Sequence, residues 1–161
     1  MTRPNALAPD PNFKYDKQDP EGYRCAEAPF GKAAGGKDLA VRLFEVPPGE
    51  ALCPYHYEYV EEWLMVMVGD VEVRTPAGNE SAHAGEVFCF PSGPGGAHKI
   101  WNESDAAARI VMFSREATPS VCVYPDGDKV GIWTDNEEDK WMFRGAEGHL
   151  DYFDGELPTK R

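Results

Sequence analysis

The chain contains no stretch of about 18 continuous apolar residues, the minimum for a membrane-crossing helix. Met1 to Pro11 carries one Arg and no apolar run, so no secretory leader is expected there, and a cytoplasmic location is the expectation. No Cys-x-x-Cys pair occurs: Cys25, Cys53, Cys89 and Cys122 are scattered and read as small buried packing residues of a reducing compartment. Basic residues are scarce, 16 against 28 acidic ones for a formal charge of −12, which excludes phosphate backbones and anionic membrane surfaces as the main partner. A small-molecule ligand, with neither nucleic acid nor membrane, is the expected partner. Gly93 to Gly96 lacks the Gly-Lys-Ser/Thr ending of a phosphate-cradling loop and reads as a turn.

Also missing, from Leu39 onward, is any sustained period of 3.6. What stands in its place is alternation. Leu39, Val41 and Leu43 share one strand face, and Pro47-Pro48-Gly49 ends that run. Trp63 to Val68 is a continuous apolar run closed by Gly69-Asp70, after which Val71 and Val73 alternate with Glu72 and Arg74 up to a Thr75-Pro76-Ala77-Gly78 turn. Val87 to Phe90, His98 to Asn102 and Arg109 to Phe113 complete a set of short strands. With 16 glycines and 14 prolines in 161 residues, an all-β antiparallel sandwich or barrel is expected, a fold whose mouth commonly holds one ligand. The expected organisation is a flexible or loosely docked arm over 1–20, the barrel domain over 21–125, and an extension over 126–161. The aromatics of that extension, Trp133, Trp141 and Phe143, are expected to pack on the barrel or on a second copy in a homodimer.

Chemistry concentrates between Gly49 and Asn102. On an extended strand alternate side chains share a face, so His56 and Glu58 point the same way, and Glu62 follows on the next strand. Glu61 is expected in solvent and Glu62 inward. His98 starts a strand after the glycine-rich loop and meets the first three residues if the sheet closes. His83 and His149 read as surface residues.

These segments resemble the cupin family. Its first signature fits Gly49, His56, Glu62 and Gly69, and its second fits Gly85, Pro91, Gly93, His98 and Asn102, with 15 residues, 70–84, between them. The stretch Tyr124 to Gly131 also resembles a segment of small bacterial cupins of unassigned function. The resemblance implies an antiparallel double-stranded β-helix, a jelly-roll barrel, with one divalent transition metal (Fe, Mn, Ni, Zn or Cu) held by His56, Glu58, Glu62 and His98, and a homodimer.

Two departures stand out. The spacer between Gly93 and His98 is two residues longer than the commonest form, and Glu58 replaces the second His of the His-x-His pair. With Glu58 as ligand the four residues and a divalent ion sum to zero charge instead of +1. Alternatively Glu58 leaves the ion to two His and one carboxylate and acts as a catalytic base, or it marks a site without metal. The functional expectation is a metal-dependent enzyme acting on a small organic molecule, of dioxygenase, isomerase or lyase type; a non-catalytic metabolite binder and a structural cupin are the competing readings. No length is left for a helix-turn-helix domain.

Overall fold

The structure is a computed structural model that describes residues 3–8, 13–15, 19–136, 138–145, 149–152 and 154. Its strands in chain order are β1 Lys14–Tyr15, β2 Ala26–Ala28, β3 Leu39–Val46, β4 Tyr57–Glu58, β5 Glu62–Val68, β6 Asp70–Thr75, β7 Gly78–His83, β8 Val87–Phe90, β9 Lys99–Trp101, β10 Ala108–Arg115, β11 Ser120–Tyr124, β12 Lys129–Trp133 and β13 Trp141–Arg144. One short helix, α1 (Phe30–Ala34), precedes β3. All pairings are antiparallel, in three sheets: β1-β2-β3-β10-β5-β8, β13-β12-β11-β4 and β7-β6-β9. The all-β antiparallel expectation holds.

β10 is the spine. It pairs along its full length with β3, Ala108 opposite Val46 and Arg115 opposite Leu39, and along its other edge with β5. The apolar faces of this sheet and of β6, β7 and β9 close on Leu64, Val66, Val71, Val73, Ile100 and Ile110. The alternation of β6 has the predicted sense, with Val71 and Val73 buried and Glu72 and Arg74 outward. Gly69 links β5 to β6 at φ 76, and a Cβ there would lie 3.2 Å from the Ala108 backbone, so both the turn and the close approach require glycine. Asn102 is wholly buried and knits the sheets: its Nδ2 donates to the carbonyls of Val46 and Ala106, each at 2.8 Å. That is a structural role for a signature residue.

Three sequence expectations need amendment. β7, Gly-Asn-Glu-Ser-Ala-His, forms a full partner to β6 although only Ala82 of its side chains is buried; a polar strand gives no alternating signal. His83, which the polar sequence around it suggests lies in a turn, is the last residue of this strand, and it is solvent-exposed as expected. Cys89 is exposed, contrary to its reading as a buried packing residue; Cys122 is buried, and Cys25 and Cys53 are partly buried. All four are free thiols.

The described part of the arm is docked: β1 pairs with β2, and Ala6 and Phe13 pack on a second core cluster around Leu43 and Val111. In the extension, β12 and β13 continue the sheet of β11, yet Trp141, Met142 and Phe143 stay 45 to 48% exposed. The described residues leave them uncovered. No helix among the described residues is long and apolar enough to cross a membrane.

Candidate metal centre

A cavity of about 370 Å³ opens between the β3-β10-β5 face and the sheet of β4 and β11. Glu62 enters from the first residue of β5, Glu58 from β4, and Ser120, Cys122 and Tyr124 from β11. His56 and His98 sit opposite each other in an isolated antiparallel bridge. Each donates its backbone N–H to the other's carbonyl, at 3.1 and 2.8 Å. A hydrogen-bonded antiparallel pair projects both side chains to one face, which puts the ring centroids 4.8 Å apart. Two histidines 42 positions apart in sequence thereby become neighbours.

The loops on either side orient the rings. Nδ1 of His56 donates to the carbonyl of Pro54 at 3.0 Å, and Nδ1 of His98 to that of Gly96 at 2.9 Å. Because a carbonyl only accepts, each Nδ1 carries its proton, and the neutral ring presents a bare Nε2 to the cavity. Gly96 cannot be replaced: a Cβ there would fall 1.8 Å from the Pro91 carbonyl oxygen. The long glycine-rich spacer thus lets the backbone fold back on itself and bring a carbonyl under His98. Phe90 stacks on the His98 ring at 3.8 Å, fixing its plane.

Both Nε2 atoms face one carboxylate oxygen, Oε2 of Glu62, at 3.9 Å from His56 and 3.8 Å from His98. These gaps exceed hydrogen-bond length. Nε2 of His98 is buried with no hydrogen-bond partner, a costly condition unless something else fills the site. The three candidate ligand atoms lie within 4.8 Å of one another, and this is the one such group among the described residues. Two imidazole nitrogens and one carboxylate oxygen form a donor set suited to a divalent transition ion, and a position for such an ion accounts for the unpartnered Nε2.

Without an ion the site is electrically quiet. Burial, then the nearby Glu58 charge, raises the Glu62 carboxyl to about 8, against a smaller opposing pull from Arg42. Burial, then repulsion from His56, lowers His98 to about 4, and burial lowers His56 as well. At neutral pH the apo site is thus two neutral imidazoles and a protonated carboxyl.

Three of the four expected ligands converge, and Glu58 stands beside them. It shares the cavity with His56, as alternation along the strand implied, but its oxygens accept hydrogen bonds from Ser120 Oγ at 3.0 Å and Cys122 Sγ at 2.9 Å. The geometry is that of two His and one carboxylate with a second carboxylate alongside. Glu61 points outward and accepts from Trp63 Nε1, as expected. Sequence reasoning missed Ser120, Cys122 and Tyr124, which β11 carries in from outside both motifs, and Arg42 and Arg115, which line the outer cavity from β3 and β10. Burial pushes the Cys122 thiol up to about 12, so it acts as a hydrogen-bond donor and not as a thiolate.

A small antiparallel barrel with a histidine-carboxylate group in its mouth is the arrangement that the two signatures imply. The chain carries a cupin domain: residues 42–114 match the sequence model of the cupin domain. Among solved structures it is similar to a protein of Acidithiobacillus ferrooxidans provisionally named a sugar phosphate isomerase, with a TM-score of 0.75, 20% identity, and coverage of 86% of this chain and 87% of that one. It is also similar to a cupin-superfamily sugar phosphate isomerase of Silicibacter pomeroyi, with a TM-score of 0.74, 20% identity and coverage of 87% and 92%. The polyketide cyclase RemF of Streptomyces resistomycificus shares the fold less completely, with a TM-score of 0.58, 19% identity and coverage of 74% and 83%. At these identities the likeness is one of fold. A comparison with curated proteins finds no match.

Proposed function

We propose that this chain is a metal-dependent cupin enzyme that isomerises a small anionic, sugar-like substrate. The observation that carries the reading is the buried, unpartnered Nε2 of His98 converging with His56 and Glu62 in a cavity that also holds a second carboxylate. His56, Glu62 and His98 would hold one divalent transition ion, which supplies Lewis-acid polarisation of a substrate oxygen when bound.

Glu58 is held by Ser120 and Cys122 so that its carboxylate faces the cavity, and it serves as the base that takes and returns a proton. Arg42 and Arg115 at the outer cavity supply positive charge for an anionic group on the substrate. Phe44, Met112 and Phe113 make the opposite wall apolar and displace water. The two sugar phosphate isomerases of similar fold support the choice of isomerisation over oxygen insertion or lyase chemistry. A homodimer joined through the exposed Trp141 to Phe143 face is part of the proposal.

The test is metal analysis of purified protein followed by an isomerase screen of phosphorylated aldoses and ketoses with the reconstituted protein. Close to one ion per chain, lost in His56→Ala/His98→Ala, is expected, together with turnover that Glu58→Gln lowers by about a hundredfold or more while metal is retained. Stoichiometric metal and substrate binding with no turnover would favour the non-catalytic binder; a protein that takes up no ion refutes the metal-dependent reading.

A further inference from the structure

Positive charge is scarce in this chain, 16 basic residues against 28 acidic ones, yet four cations gather around one concavity on the far side of the metal-site wall. This second cavity, about 610 Å³, is lined by Lys99 of β9 and Lys129 of β12. Arg74 lies beside Lys99, its register partner across the β6-β9 pair, and Arg144 beside Lys129 across β12-β13. Arg144 donates to the carbonyl of Gly127, itself a lining residue.

Two acids are present, Asp19 and Asp126. Asp126 is taken up by Arg74 in a two-pronged pair at 2.6 and 3.0 Å, so that pair contributes little net charge. Lys99 and Lys129 make no ion pair with a side chain among the described residues. Each ammonium instead lies over a tyrosine ring, Lys99 at 5.5 Å from Tyr23 and Lys129 at 5.2 Å from Tyr124, and Arg74 covers Tyr55 at 3.9 Å. Such contacts hold the cations in place without neutralising them.

We propose that this concavity is a second binding site, for a small phosphate monoester carrying an apolar or aromatic group. Four cations, Arg74, Lys99, Lys129 and Arg144, against the two carboxylates Asp19 and Asp126 leave a net charge of +2, which matches a dianion, and lysine is a point-charge phosphate binder. Tyr23, Tyr55, Leu52 and Pro54 provide an apolar bed for the organic part, and the volume is that of an ordinary small-molecule site.

The site is wired to the metal centre. Leu52, Cys53 and Tyr124 line both cavities. Tyr124 stacks against the His56 ring at 5.8 Å, and Pro54, a lining residue of the second cavity, carries the carbonyl that orients His56. An occupant pressing on Pro54 and Tyr124 therefore changes how well His56 presents its Nε2, which couples the two sites.

The test uses metal-loaded protein and phenyl phosphate as probe, by calorimetric titration at low ionic strength, with inorganic phosphate in parallel. Saturable binding is expected, weakened about tenfold or more in Lys99→Gln/Lys129→Gln and changed less than about twofold in Lys37→Gln, an exposed lysine that lines neither cavity. Phenyl phosphate should bind at least about threefold more tightly than inorganic phosphate, because only it uses the tyrosine bed. No saturable binding, equal affinity for the two probes, or undiminished binding in the lysine variant overturns the site. For the coupling, saturating phenyl phosphate should shift the Mn or Zn affinity of wild-type protein by about threefold or more and leave the lysine variant unshifted; an unshifted wild type overturns it.

Discussion

Gly96 shows how one residue without a side chain controls two that have them. Its missing Cβ leaves room for the Pro91 carbonyl, and its own carbonyl holds the proton on Nδ1 of His98. Gly96→Ala must move backbone on one side or the other, so it should lower the melting temperature and weaken metal binding together; unchanged metal affinity in a titration would show that the carbonyl does not orient His98. The signature residue Asn102 is different, because among the described residues its side chain bonds to backbone and to Ser104, away from the residues that line the cavity. Asn102→Ala orphans buried carbonyls of the barrel, and chemical denaturation should show a loss of about 1–3 kcal/mol with the metal stoichiometry intact. Asn102 was visible in the sequence as a motif position, and Gly96 only as part of a glycine-rich turn. Their different roles were not, because a one-dimensional pattern does not say which neighbour a residue touches.

The strands carry the next level. β3, β5, β6 and β10 were legible because each buries one face, and a half-buried strand must alternate or run apolar. β7 was not, since Ala82 alone of its side chains is buried and its strand character comes from pairing with β6. β11 was missed as a site element for a related reason: Ser120, Cys122 and Tyr124 look ordinary until β11 pairs with β4 and sets Cys122 opposite Glu58. That pairing places the two donors on the Glu58 carboxylate. Along the spine, Ile110 of β10 is fully buried in the main core cluster, and Ile110→Ala should cost about 2–5 kcal/mol in denaturant unfolding. A cost under about 1 kcal/mol would mean that the core collapses around the gap.

At the scale of the whole molecule, the buried charges couple stability to pH and to metal. Glu62 lies raised from an ordinary 4.5 to about 8, so its contribution to stability is complete below 4.5 and is lost as pH climbs to about 8. His98 lies lowered from 6.5 to about 4, so its contribution is complete above 6.5 and is lost as pH falls to about 4. Between 4.5 and 6.5 the two slopes oppose, and metal-free protein should show a plateau there in melting temperature, falling on both sides. A divalent ion displaces the Glu62 proton, so saturating metal should raise the melting temperature more at pH 8 than at pH 6, and Glu62→Gln should flatten that difference. Equal metal-induced shifts at both pH values in wild type would refute the assignment of Glu62 as the titrating ligand. The half-exposed Trp141 to Phe143 face belongs to this scale too: sedimentation should report a dimer that Trp141→Ser/Phe143→Ser dissociates.

Composition and spacing by themselves determined the all-β class and singled out His56, Glu62 and His98, because burial imposes a period on strands and a motif preserves its ligand spacing. They left Glu58 open among three readings: ligand, base, or mark of a site without metal. Only the tertiary structure separated it from the trio, since what a carboxylate does depends on which donors reach it, and here they arrive from Ser120 and Cys122, more than 60 residues away along the chain. The second cavity is likewise a product of folding alone: Tyr23, Tyr55, Lys99 and Lys129 come from four separate segments, and no local pattern records that they share one wall.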